Sequence, residues 1–116
     1  MAFYRAAIGG GGSSGTVVGT FKTSTSATTG YKVTTGFKPA YVCIIDANTS
    51  TPYNMIYNSD ISTTKYNRGT AGANAWRNFE TNTSAYSIKS IDNDGFTVYT
   101  ASTYAAHNWT YFAISE

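Results

Sequence analysis

The sequence predicts an all-β chain: a small antiparallel β-sandwich of six to eight strands, led by an extended N-terminal arm and a Gly-rich linker. Three observations predict it. Aromatic residues make up 16% of the chain, ten of them Tyr, while charged residues are only 12%, about half the usual share. Thr, Tyr, Val and Ile favour pleated strands, and Gly and Asn favour the turns between them. Short apolar runs alternate with a period of two, and apolar residues nowhere recur convincingly at three and four. Breaks rich in Gly, Asn, Asp and Pro punctuate these runs at the spacing of a sandwich.

The elements follow in chain order. Residues 1–15 read as an arm and a linker. FYRAAI (3–8) is too short to bury itself, and GGGGSSG (9–15) is a flexible tether by composition. Phe3, Tyr4 and Ile8 are therefore expected to dock on another chain or on the edge of the main domain. Residues 16–116 form a single domain, since 116 residues leave no room for a second core of normal size.

In GTVVGTFKTS, Val17, Gly19 and Phe21 take one face and Val18, Thr20 and Lys22 the other. Tyr31 and Val33 alternate in the next run, which Gly36 and Pro39 interrupt. AYVCIIDA is a continuous apolar run whose length suits a buried strand better than a helix. YNMIYNS (53–59) is a further strand. DISTTKYNRGTAGANA (60–75) reads as a long loop with at most a short strand near 63–66, followed by a strand candidate at 76–81.

SAYSIKSI and GFTVYT flank Asp92-Asn93-Asp94-Gly95. Asp-Gly between alternating runs signals a hairpin in which Gly95 takes the positive φ of the turn. Asp92 and Asp94 are expected to bond their own backbone there. NWTYFAIS closes the chain, with Trp109, Tyr111 and Ala113 on one face and Thr110, Phe112 and Ile114 on the other.

Charge and chemistry narrow the function. A net charge of +2, with Lys and Arg scattered, is not a nucleic-acid footprint. No run approaches the length of a membrane span, and MAFYRAAIGGGG lacks the build of a signal peptide. The lone Cys43 excludes an internal disulfide and reads as a small buried hydrophobe. His107 is the single His, so no multi-histidine metal site exists, and no G-x-S-x-G turn presents a nucleophile. Asp92 and Asp94 lack the later Glu of a calcium loop. The expectation is a non-enzyme without cofactor or metal.

GFKPAYVCII (36–45) together with SIDNDGFTVYT (90–100) and NWTYFAISE (108–116) resembles the small β-sandwich modules of bacteriophage tail and fibre proteins. The order of features is also similar to the H-type lectin fold. The resemblance covers about residues 33–116. It implies a sandwich that assembles as trimers or hexamers and binds sugars, and it transfers no individual ligand residue. The start MAFYRAAIGGGG also resembles the leading segment of phage tail proteins.

Binding is thus expected to fall on surface aromatics, amides and guanidinium groups in the irregular middle: Tyr53, Tyr66, Asn67, Arg68, Trp76 and Arg77. Tyr, Trp and Arg anchor interfaces through large area and few rotors. The expectation is a virion component (tail, tail-tip, fibre or capsid surface) made in the host cytoplasm. Its partners would be other virion proteins, further copies of itself and a host surface glycan, with neither nucleic acid nor membrane insertion involved. The alternatives are a stand-alone lectin and a decoration protein without a ligand.

Overall fold

The computed structural model describes residues 15–23, 30–46, 54–70, 73–79, 86–99 and 108–116. Tyr53, His107 and the arm residues Phe3, Tyr4 and Ile8 lie outside them. Within the described residues the chain forms nine strands: β1 Thr16–Lys22, β2 Tyr31–Thr34, β3 Pro39–Asp46, β4 Asn54–Asn58, β5 Lys65–Thr70, β6 Ala73–Asn78, β7 Ser87–Asp92, β8 Gly95–Tyr99 and β9 Asn108–Ser115. They make a six-stranded sheet, ordered β1-β9-β3-β4-β5-β6, and a three-stranded sheet, ordered β2-β8-β7. Every pairing is antiparallel.

The ninth strand comes from the stretch expected to be a loop. Residues 65–78 pair as the β5–β6 hairpin, with Tyr66 opposite Arg77 and Asn67 opposite Trp76. This segment is poor in apolar residues, so its strand character is set by backbone pairing along the edge of β4 and leaves no clear period in the sequence.

The two sheets face each other across an aromatic core. Phe21 of β1 stacks on Tyr31 of β2 at 5.4 Å and on Trp109 of β9 at 6.2 Å. Tyr86, just ahead of β7, meets Trp109 edge-on at 4.8 Å. Phe96 of β8 meets Tyr111 of β9 edge-on at 5.4 Å. Val42, Ile44, Met55, Ile88 and Val98 fill the space between them, all fully buried. Such edge-on and offset pairs each add about 0.5–1.5 kcal/mol beyond their buried area. The inward faces read from β1 and β9 hold, with Phe21, Trp109, Tyr111 and Ala113 buried; of the outward residues Val18, Thr20, Lys22 and Thr110 are exposed, Phe112 is half-buried and Ile114 is buried.

The β7–β8 hairpin forms where DNDG places it, with Asp92 opposite Gly95. Its physics differs from the expectation. Gly95 does not have a positive φ; it is the first residue of β8, and a Cβ there would strike the carbonyl oxygen of Val33 on β2. Glycine is needed for the close approach of the neighbouring backbone. The carbonyl of Asp94 then accepts from the amides of Thr35 (2.8 Å) and Gly36 (3.2 Å).

The aspartate side chains also depart from the expectation, because they reach other side chains. Asp92 accepts from Ser90 Oγ at 2.7 Å, Thr97 Oγ1 at 2.8 Å and Lys32 Nζ at 2.9 Å. Asp94 accepts from Lys32 at 2.6 Å. Partial burial by itself would raise the Asp92 carboxyl. The hydrogen bonds from Lys32, Ser90 and Thr97 and the charge of Lys32 outweigh it and hold the group below its ordinary value. The bonds to Asp94 and Asp92 raise the Lys32 ammonium. A lowered carboxylate stabilises the fold above its unfolded value, near 4, and that contribution is lost as pH falls through the lower folded value. The raised lysine acts at the other end: its contribution is complete below the unfolded value and is lost as pH rises through the folded one. Asp92→Asn is therefore expected to flatten the stability–pH curve on the acid side of pH ~4. The change should stay below about 1 kcal/mol, because Lys32 is solvent-exposed. Urea melts of the two proteins across that range check it; equal acid slopes would mean that the triad is fully screened.

Candidate binding faces

The alternation of strand residues gives the six-stranded sheet an inner face, against the small sheet, and an outer face. Five of the six binding candidates divide between them; the sixth, Tyr53, lies outside the described residues. Tyr66 is a core residue, fully buried and stacked on Phe79 at 6.2 Å, which, contrary to the sequence expectation, leaves it no surface to offer a ligand. Tyr66 and Arg77 face each other on the inner side, as do Arg68 and Ala75. Arg68 Nη1 donates to the Tyr86 carbonyl at 2.7 Å and ties β5 to the start of β7. Near this tie, at the β5–β6 hairpin, is a cleft of about 180 Å³ lined by Arg68, Ala73, Asn74, Ala75 and Arg77. Asn67 and Trp76 point the other way, opposite each other on the outer face. The expected single patch is therefore two surfaces back to back: guanidinium groups within, and an amide and an indole without. Spacing along the chain placed all of them in one segment but could not assign faces without the register.

The outer face carries a feature that composition alone did not show. Register carries one row across all six strands: Val18 pairs with Phe112, Phe112 with Cys43, Cys43 with Ile56, Ile56 with Asn67, and Asn67 with Trp76. Five of the six are apolar, over a width of ~24 Å. Val18 is 67% exposed and Trp76 50%; Ile45, one row away, is 46% exposed. Tyr41 meets the Phe112 ring edge-on at 6.2 Å on the same side. The only charged residues that alternation and register place on this face are Lys22 at its β1 edge and Lys65 on β5; no carboxylate lies among its strand residues.

Cys43 belongs to this row and is half-buried, where the sequence reading made it a core residue. Burial pushes its thiol up; the hydrogen bond with Tyr41 opposes this only in part. The group stays protonated and unreactive at neutral pH.

Among the described residues no three of His, Cys, Asp and Glu gather as a metal would require. The class these residues define is a two-sheet antiparallel β-sandwich whose larger sheet bears an apolar row on its open side. No protein-family model, curated protein or solved structure matches the chain.

Proposed function

We propose that the chain is a structural module of a bacteriophage virion that works by non-covalent binding, self-associating into a symmetric oligomer through the outer face of its six-stranded sheet. One observation carries this reading. β3 has the near-continuous apolar sequence of a strand covered on both sides, yet across its central residues 41–45 only Val42 and Ile44, which face inward, are fully buried, while Tyr41 and Cys43 are half-buried and Ile45 is exposed. The sequence is written for a cover that the single chain does not supply.

A second copy is the occupant that suits the face. Lys22 and Lys65 are the only charges on the strand residues of this face, so repulsion between two copies is weak and largely screened by salt. Its flanking Thr and Asn side chains both donate and accept hydrogen bonds, which lets like face like. The half formed by β1, β9 and β3 is the apolar end, through Val18, Phe112, Tyr41, Cys43 and Ile45. Assignment to a virion is supported by the phage-module likeness of residues 36–45, 90–100 and 108–116, which contribute β3, the turn and second strand of the β7–β8 hairpin, and β9. Repetition on a particle turns weak sites into strong attachment.

Light scattering after size exclusion tests the oligomer. The full chain is expected to run as a trimer or hexamer, and Val18→Asp and Ile45→Asp to dissociate with unchanged far-ultraviolet circular dichroism. Each removes an apolar contact worth about 1.5–3 kcal/mol, so the subunit dissociation constant should rise at least tenfold. A monomeric wild type at high concentration sinks the assembly reading. Genes for tail or capsid components beside the gene for this chain are expected; genes unrelated to any particle would sink the virion assignment.

A further inference from the structure

The opposite half of the outer face, on β4, β5 and β6, has a different chemistry. Trp76 is half-exposed in the middle of β6. Asn74 and Asn78 sit two residues before and after it on the same face, each ~6.8 Å along the strand. Asn67 stands directly opposite on β5. One row away, Asn54 and Asn74 flank Gly69. A Cβ on Gly69 would strike the Asn74 side-chain oxygen and lie 2.8 Å from that of Asn54. The glycine is the bare floor that lets both amides lie over the sheet.

Among the described residues none of the four side-chain amides is hydrogen-bonded to another group. Each brings a carbonyl acceptor and two N–H donors to the surroundings of an exposed indole. An exposed Trp on a strand costs solubility and adds nothing to the core, and its setting among four amides on one face suits a ligand with one apolar face and a polar rim.

We propose that Trp76, with Asn54, Asn67, Asn74 and Asn78, forms a binding site for a neutral pyranose glycan. The C–H face of a sugar ring lies on the indole, and the amides pair with its hydroxyl groups as both donors and acceptors. The charge pattern selects neutral sugars. An acidic sugar is best held by a guanidinium fork, and the two arginines of this region, Arg68 and Arg77, lie on the inner face. Lys65 is the nearest cation by register, opposite Asn78. The site deepens the reading of the chain as a multivalent binding module and rests on it only for its biological use.

The test uses the full chain. Methyl glycosides of mannose, galactose, glucose and N-acetylglucosamine are titrated singly, with ligand saturation-transfer NMR and Trp fluorescence as readouts, so that detection does not depend on oligomerisation. Methyl sialoside serves as the acidic comparison. At least one neutral glycoside is expected to bind and to perturb the emission of the exposed Trp76. Trp76→Ala is expected to lose about tenfold or more in affinity, and Asn67→Ala and Asn74→Ala several-fold each, with folding intact because these residues lie outside the core. No binding by any neutral glycoside, equal binding by Trp76→Ala, or binding confined to the sialoside would each overturn the proposal. The oligomeric mass of the same samples separates the two readings. An intact oligomer that ignores sugar refutes only the glycan site, and a monomer that binds sugar refutes only the assembly.

Discussion

Trp109→Ala is expected to cost about 3–5 kcal/mol, a large share of what a domain of this size has to lose. Trp109 is fully buried in β9 and links the two sheets. One face of its ring stacks near Phe21 of β1, and its edge meets Tyr86 at the start of β7. Its Nε1–H donates to Thr23 Oγ1 at 3.1 Å, which fastens the end of β1 as well. Alanine removes the ring contacts, leaves a cavity that rigid strands close poorly, and deletes the donor. The midpoint of thermal unfolding should fall by about 15–25 °C. Urea unfolding followed by circular dichroism measures the loss, and Trp76→Ala is the matched control. Trp76 is half-exposed, so its removal should change stability by less than about 0.5 kcal/mol. A Trp109→Ala protein within 1 kcal/mol of wild type would show that this stack does not hold the sheets together.

Gly95→Ala is the second large effect, expected at about 3 kcal/mol or more. The added methyl would land on the Val33 carbonyl oxygen, a backbone atom of the paired strand. A flexible side chain could swing aside; a paired backbone cannot. β2 is only four residues long and is paired in its sheet through β8 alone. It should therefore detach first, carrying Val33 and Tyr31 away from Phe96 and Phe21. Hydrogen exchange should show protection lost over residues 31–37 and kept over β9. Gly36→Ala is the contrasting variant. Its φ of +87° strains any L-residue, but no atom lies within 4 Å of the new Cβ, so the cost should be only about 1–2 kcal/mol. If the two variants were equally stable, the close approach at Gly95 would be more yielding than the strand geometry implies.

These two residues also mark where local reading succeeds and where it stops. DNDG pointed to the hairpin correctly, because polar turn formers between alternating runs leave the chain little else to do. The reason for its glycine was invisible, since Val33 lies 62 positions away in the sequence and reaches Gly95 only when β2 pairs with β8. The same limit governed the binding candidates. Tyr66, Arg68 and Arg77 were grouped with Asn67 and Trp76 because they are neighbours in the chain. A two-residue period sends neighbours to opposite faces, and which face is inner depends on the packing of the other sheet.

The β5–β6 hairpin is only partly legible, as a short strand near 63–66 and a strand candidate at 76–81 with a loop between them, for a related reason. β5 is held by main-chain pairing to β4 and β6 by pairing to β5, and side chains such as Asn67, Asn74 and Asn78 leave no apolar trace. The Asn amides of the glycan site share that fate: Asn54 lies at least 13 positions from the others and joins them only through the register around Gly69.

By itself the sequence determined that the chain is all-β, where most of its strands lie, and which residues of β1 and β9 turn inward, because period-two alternation is a local property written in consecutive residues. Tertiary structure alone decided that Val18, Phe112, Cys43, Ile56, Asn67 and Trp76 form one row, that Gly95 makes room for a neighbouring backbone, and that the arginines and the exposed indole stand on opposite faces. The physical reason is that strand order and register are set by contacts between distant segments, which no local pattern encodes.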